Sequence, residues 1–179
     1  MASLFRPALD LMAQYAAYHR DRRNIATHFV GIPLIVFAVS VLFARVEFSV
    51  GDTPMNAAIV VWAVTALWYL TRGNLVLGAA TAIVNGVLTA LAMTASQGSM
   101  AGWLVIGVGS FVVGWVLQFI GHYYEGRKPA FVDDLVGLLV GPAFVTAEAL
   151  FSLGWGRTLR EEIERRAGPT HVRDLAWPA

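Results

Sequence analysis

Histidine side chains are the residues of this chain whose type and spacing could do chemistry. The sequence contains His19, His28, His122 and His171, and it contains no cysteine. Neutral imidazole is the commonest side-chain ligand for transition metals. Histidines combined with a carboxylate and open coordination positions suit non-haem Fe(II) or zinc. The absence of cysteine excludes disulfides, thiolate-bound zinc, iron–sulfur clusters and cysteine nucleophiles.

The spacing of the first two histidines limits how they can meet. His19 and His28 are nine residues apart, so at about 100° per residue they would point to opposite sides of one continuous helix. They can bind one metal ion only if the chain bends between them, with a surface helix ending near Arg22 and a second helix starting near Asn24. Otherwise they belong to two metals. Asn24 is four residues before His28 and shares its helix face.

Two glutamates are the candidate acidic partners. Glu125 follows His122 by three residues, so it could ligate the same metal or accept the second ring N–H of that histidine. Glu148 lies in an apolar segment, where an ionisable side chain is costly and usually has a partner or a function. A structural ion pair with Arg127 or Arg157 is the alternative interpretation of Glu148.

The composition places these side chains in a membrane protein. Of the 179 residues, 57% are hydrophobic and 14% are charged, whereas a soluble domain has about 25% charged residues. The formal net charge of +1 offers no basic surface for nucleic acid. We therefore expect one integral membrane domain and no nucleic-acid partner.

Stretches free of charge predict an all-α, polytopic fold with four transmembrane helices. A spanning helix needs about 20 mainly apolar residues, and a polar turn at Ser96–Ser99 divides the longest stretch in two. The predicted helices lie near 27–44, 54–71, 74–95 and 101–122. Close helix packing is predicted at four glycines of the chain, which are Gly102, Gly107, Gly109 and Gly114.

A fifth apolar stretch, Leu135–Trp155, carries Gly141-Pro142 in its middle. Proline usually breaks or kinks a helix, so this stretch is either a fifth span or a broken, re-entrant or interfacial pair of short helices. The distribution of basic residues favours the second interpretation, because a fifth span would put four tail arginines on the other side of the membrane.

Basic residues also predict the orientation of the chain. With four spans, the groups around Arg22, Arg72 and Arg127 share one side, and only Arg45 is on the other. The basic side should be cytoplasmic. His19, His28 and His122 then lie at one depth on that side, either as a metal site or as interfacial side chains.

The two ends of the chain are expected to lie outside the bilayer core. Met1–Arg23 predicts an amphipathic helix on the membrane surface. Residues 1–156 then form a single helical membrane domain, and 157–179 form a charged cytoplasmic tail. Within that tail, Arg157–Arg166 predicts a solvated helix and Thr170–Ala179 a loose segment, in which His171 is an incidental exposed residue.

Four motifs resemble those of a known family. They are Tyr18-His19, Asn24-x-x-x-His28-x-x-Gly31-x-Pro33, Gln118-Phe119-x-Gly121-His122-x-x-Glu125, and Gly141-Pro142 followed by Glu148. Their order and spacing are similar to those of the 2-hydroxy fatty acid dioxygenase family, named for a yeast endoplasmic-reticulum enzyme of fatty acid α-oxidation. The resemblance extends from about residue 15 to 150.

The resemblance implies an Fe(II)-dependent dioxygenase that takes a 2-hydroxy fatty acid and O₂ and yields a fatty acid one carbon shorter. It implies that His19, His28 and His122 are the iron ligands. Asn24, Glu125 and Glu148 match other motif positions and are expected to contribute to catalysis. The protein would lie in a bacterial inner membrane or the endoplasmic reticulum, in contact with membrane lipid.

Two arginines are the predicted substrate ligands. Arg22 or Arg23 could hold the carboxylate of an acidic lipid through paired hydrogen bonds; the alternative is that they only set the membrane topology. Two other functions stay open at this point. One is a zinc-dependent lipid hydrolase, and the other is a small membrane transporter or scaffold, although a transporter would be expected to have more polar groups at the bilayer midplane.

Overall fold

The computed structural model describes residues 4–176 and, within them, every side chain except that of Phe131. Seven helices and one two-stranded hairpin follow each other along the described chain. In order they are α1 (Ala8–Ala16), α2 (Arg22–Ala44), β1 (Glu47–Val50), β2 (Thr53–Asn56), α3 (Ala57–Leu70), α4 (Leu75–Ala95), α5 (Met100–Glu125), α6 (Val136–Ser152) and α7 (Arg157–Ala167). A single 3₁₀ turn, Ala130–Val132, precedes α6.

Three of the described helices, α2, α4 and α5, are long and apolar enough to cross a membrane. The mostly helical, membrane-type fold predicted from the sequence is therefore confirmed. The predicted set of four spans is not, because α3 has 14 residues and a length of about 21 Å, whereas the hydrocarbon core is about 30 Å thick. The fifth apolar stretch forms one continuous helix, α6, that includes Pro142, instead of a broken pair.

A hairpin that the sequence analysis does not predict shortens α3. β1 and β2 pair antiparallel from Glu47↔Asn56 to Val50↔Thr53, and the two residues between them form the turn. Two-residue turns join antiparallel strands with matching twist. The predicted helix near 54–71 therefore begins only at Ala57, where the side chain of Asn56 caps it by accepting from the N–H of Ile59.

α2 and α5 pack together through glycines. A Cβ on Gly114 would lie 2.9 Å from the carbonyl oxygen of Gly31, and one on Gly107 would lie 2.6 Å from a side chain of α2. Small residues allow membrane helices to approach this closely. The packing prediction is right for these two positions of α5. It is wrong for Gly102 and Gly109, since a Cβ there would contact no neighbouring helix.

The predicted basic side is one end of the bundle. The guanidinium of Arg127 donates to the carbonyl of Ala17, 2.8 Å away, and the carbonyl of Arg72 accepts from the N–H of Ala8, also at 2.8 Å. Arg45 lies at the other end, where it donates to the carbonyl of Ser96. That this basic end faces the cytoplasm stays a prediction.

The N-terminal amphipathic helix is present, but its apolar face contacts protein. Leu11, Met12 and Tyr15 of α1 are buried in a cluster that includes Phe144 of α6 and Ile163 of α7. α1 and α7 are also linked by an ion pair between Asp10 and Arg166, 2.7 Å apart. The two terminal helices therefore cover the basic end of the bundle. Residues 1–3 lie outside the described part of the predicted helix.

Replacing Gly114 with alanine is expected to destabilise the α2–α5 contact by about 1–3 kcal/mol, because the methyl group would overlap backbone atoms. Gly109→Ala is the matched control, since its Cβ would meet no atom within 4 Å. Thermal unfolding in detergent micelles measures the difference. Equal unfolding temperatures for the two variants would contradict the close approach at Gly114.

Candidate metal centre and cavity

A turn between α1 and α2 brings the first two histidines together. α1 ends at Ala16 and α2 begins at Arg22, with Asp21 as its cap. His19 lies in the turn, and its Nε2 is 3.0 Å from the Nε2 of His28, one to two turns into α2. The bend that the spacing requires for a shared metal is therefore present.

The third histidine comes from the last turn of α5. The ring centroid of His122 is 4.9 Å from that of His19 and 5.2 Å from that of His28. One ligand nitrogen from each of the three rings lies within 4.8 Å of the others, and all three side chains are buried. The sequence predicts these three residues as one site, and the structure brings them together.

Backbone carbonyls fix the tautomers of two of the rings. The Nδ1 of His19 is 2.7 Å from the carbonyl oxygen of Tyr15, and the Nδ1 of His28 is 2.9 Å from that of Asn24. Because a carbonyl only accepts, each Nδ1 carries the proton and each Nε2 presents a lone pair. Burial, with His28 and His122 nearby, lowers the pKa of His19 well below its usual range, so this ring is neutral.

The donor set fits a divalent transition metal. Two Nε2 lone pairs 3.0 Å apart face each other without a proton between them, which is unfavourable unless a cation lies beside both. Bonds from nitrogen to such a metal are about 2.0–2.1 Å long, so one ion can reach both atoms. Neutral imidazole is the ligand form of histidine.

Glu125 does not bond to a histidine; it anchors the turn that carries one. Its carboxylate accepts from the backbone N–H groups of Arg20 and Asp21 and from the side-chain amide of Asn24, at 2.8–3.0 Å. It accepts no hydrogen bond from the ring of His122, and that it ligates a metal or contributes to catalysis stays a prediction. Glu125 is a positioning residue for His19.

Asn24 connects the same turn to α2 and α5. Its amide also donates to the carbonyl of Tyr18, while its own carbonyl orients His28. Its Oδ1 is buried without a hydrogen-bond partner. A Cβ on Gly121 would lie 2.4 Å from that oxygen, so only glycine at this motif position allows α5 to approach the turn.

An aromatic wall encloses the histidine cluster. The ring of Tyr15 is stacked on His19, with centroids 4.0 Å apart and planes 6° apart, and Phe144 packs against both rings. A Cβ on Gly141 would lie 3.2 Å from the hydroxyl of Tyr15, which explains the glycine before Pro142. The contact of Phe144 cannot be read from the sequence, because no spacing relates it to a histidine on another element, whereas Tyr15 lies four residues before His19.

Glu148 lies apart from the histidines. It lines a cavity of about 160 Å³ together with Arg20 and Arg22, and this cavity is smaller than the one that opens from the histidine cluster. Its largest charge interaction is with Arg20, and not with either arginine proposed from the sequence. Arg127, one of those two, donates to a backbone carbonyl instead. A catalytic role for Glu148 stays a prediction.

Arg22 and Arg23 do not line the cavity of about 330 Å³ that opens from the histidine cluster. The guanidinium of Arg23 is paired with Asp21 at 2.8 Å, donates to the carbonyl of Arg173 and lies over the ring of Tyr124. Arg22 is exposed and borders the smaller cavity. That either residue holds a substrate carboxylate stays a prediction.

The C-terminal segment is bound to the histidine-bearing turn, which corrects the prediction of a loose segment. The carbonyl of His171 accepts from the N–H of Arg22, and the N–H of His171 donates to the carbonyl of Arg20, each at 2.9 Å. The N–H of Arg173 donates to the carboxylate of Asp21 at 2.8 Å. Backbone pairing of this kind leaves no side-chain pattern, so the sequence does not reveal it. The side chain of His171 is exposed, as predicted.

A cavity of about 330 Å³ opens from the histidine cluster into the helical bundle. His28 and His122 line one end, and Ser40 and Thr89 line it further along α2 and α4. Most of the lining is apolar, as in typical ligand pockets. α2, α3, α4, α5 and α6 all contribute to it, with side chains such as Ile32, Val36, Trp62, Phe111, Trp115 and Leu138.

Gln118 is the polar residue of the cavity closest in sequence to a candidate ligand. It lies one turn before His122 on α5, and its Nε2 is buried without a hydrogen-bond partner. Gly31 leaves room for this amide, since a Cβ there would lie next to it. The sequence shows Gln118 within a motif but assigns it no role.

These features define a helical membrane protein with a buried three-histidine centre at the head of an apolar cavity. Residues 5–153 match the family described as "2-hydroxy-palmitic acid dioxygenase Mpo1-like", and the chain belongs to this family. The chain is similar to the 2-hydroxy-palmitic acid dioxygenase MPO1 of Saccharomyces cerevisiae, with 31% identity over 164 residues, covering 87% of this chain and 88% of the yeast protein. No solved structure matches the chain.

The two anchors of the histidine-bearing turn can be tested separately by hydrogen exchange at single-residue resolution. Deleting residues 169–179 removes the acceptor for the N–H of Arg22, so that amide should exchange about tenfold faster. The amides of Arg20 and Asp21, which donate to Glu125, should stay protected. In Glu125→Ala, which removes the acceptor, the amides of Arg20 and Asp21 should exchange faster and the amide of Arg22 should stay protected. Equal loss of protection at all three amides in both variants would contradict separate anchoring.

Proposed function

We propose that this protein is an Fe(II)-dependent dioxygenase of the membrane that shortens a 2-hydroxy fatty acid by one carbon with O₂. The observation that carries the proposal is the pair of Nε2 lone pairs of His19 and His28, 3.0 Å apart beside His122. Membership of the family supports the substrate class. With the lost carbon leaving as CO₂, one 2-hydroxy acid and one O₂ give the shortened acid, CO₂ and water, and the atoms balance.

His19, His28 and His122 would hold the iron. The chemistry that iron supplies when bound is orientation of the hydroxyl and carboxylate oxygens and reaction with O₂. Glu125 and Asn24 keep His19 in place through the turn. Such supporting hydrogen bonds orient ligands and are needed for metal affinity.

The surroundings of the centre suit an amphipathic substrate. Tyr15 stacks on His19 and Phe144 packs against both rings, so these two aromatic side chains shield His19 from water. The apolar cavity, which Tyr15 also lines, accepts the acyl chain. The amide of Gln118 donates a hydrogen bond to a carboxylate or hydroxyl oxygen of the bound acid, which satisfies its unpartnered Nε2.

Metal content tests the proposed ligands. Protein purified without oxygen is expected to contain near-stoichiometric iron, and His28→Ala and His122→Ala should each lose it, because a buried ligand is removed. His171→Ala is the matched control, since this side chain is exposed and outside the cluster. Elemental analysis measures the outcome. Zinc in the place of iron would favour a lipid hydrolase, and iron retained in both variants would contradict the site.

Gln118→Leu tests the contact with the head of the substrate. Loss of a hydrogen bond to a charged group should raise KM by about 10- to 100-fold, with iron content unchanged because Gln118 is not a proposed ligand. Steady-state oxidation of a 2-hydroxy fatty acid gives KM and kcat. An unchanged KM, or a loss of iron, would show that Gln118 does not act on the substrate.

A further inference from the structure

We infer that the cavity is the acyl-chain site, and that its far end at Ser40 and Thr89 sets the longest substrate chain that the centre accepts. This inference rests on the proposed function and adds a chain-length limit to it. It places the determinants of specificity deep in the bundle, away from the reacting atoms.

The length of the cavity follows from its lining along α2. His28 lines the cavity at the candidate centre, and Ser40 is the most distant residue of α2 that lines it. Twelve residues of helix separate these two positions, which corresponds to about 18 Å. Since α5 contributes from His122 back to Phe111, the cavity has a similar extent along both helices.

The far end is closed by packed side chains. The hydroxyls of Ser40 and Thr89 are 3.1 Å apart and join α2 to α4, and both side chains are buried. Val41, the next residue of α2, and Ala92, three residues further along α4, are fully buried. Trp103 adds a further link by donating from its Nε1 to the carbonyl of Val41. An extended chain that runs along α2 therefore ends at Ser40.

The length of the cavity translates into a number of carbons. A carbon–carbon bond of about 1.5 Å advances an extended chain by about 1.3 Å, so about 18 Å holds about 14 carbons. With C1 and C2 at the histidine centre, the limit falls near a chain of 16 carbons. Longer chains would have to bend inside a cavity of about 330 Å³.

Two substitutions at different depths test the limit. Ser40→Leu fills the far end of the cavity, and Val36→Phe blocks the cavity one turn closer to the histidines. Ala90→Leu is the control, because Ala90 is exposed on the outer face of α4.

The readout is kcat/KM for 2-hydroxy acids with chains from about 8 to 20 carbons, in the iron-loaded protein in lipid nanodiscs. The unsubstituted protein should show a cut-off near 16 carbons. Ser40→Leu should shorten the cut-off by about three carbons, with a drop of about 50-fold for the longest accepted chain, and Val36→Phe should shorten it further. Ala90→Leu should keep the original cut-off, because this residue does not line the cavity.

Binding separates failure of this inference from failure of the proposed function. Trp62 and Trp115 line the cavity, so quenching of tryptophan fluorescence by bromine-labelled fatty acids reports occupancy without turnover. If no 2-hydroxy acid is oxidised but binding still shows the graded cut-off, the proposed activity fails and the acyl site stands. If turnover occurs with the same chain-length profile in all variants, the proposed activity stands and the acyl site is overturned.

Discussion

One buried carboxylate, that of Glu125, holds the turn on which the candidate centre depends. It accepts from two consecutive backbone N–H groups of the α1–α2 turn and from the side chain of Asn24. Charge-assisted hydrogen bonds of this kind are about twice as strong as neutral ones. Because Glu125 is on α5 and the turn precedes α2, the same contacts link the helices that carry His28 and His122. Without them the turn that carries His19 would be held mainly by its contacts with the C-terminal segment.

The packing of glycines and the hydrogen bonds of the Glu125 carboxylate both link α2 to α5. Gly31 and Gly114 bring the backbones of α2 and α5 into contact, and Gly121 brings α5 against Asn24. This close contact sets the distance between His28 and His122. The helices α3, α4 and α6 are less tightly packed against this pair, and the cavity lies between them. The same helix arrangement therefore packs α2 tightly against α5 and leaves the cavity beside them. The polar centre lies at the end of the cavity nearest the basic residues.

The sequence predicts much of this arrangement, and the failures have physical causes. Spacing and residue type identify His19, His28 and His122, because ligands are recognisable side chains and the required bend follows from helix geometry. Charge-free stretches predict the long helices, since apolar length is what a bilayer demands. The role of Glu125 is not predictable, because its partners are backbone N–H groups. The bound C-terminal segment is missed for the same reason, and Glu148 is separated from the centre by tertiary packing that no local pattern encodes.

The attachment of residues 171–173 to residues 20–23 has a consequence for the order in which the protein matures. The turn that carries the first candidate ligand is synthesised before the long helices, while the segment that binds this turn is synthesised after all of them. The turn therefore acquires its full set of hydrogen bonds only once α2, α4 and α5 have been made.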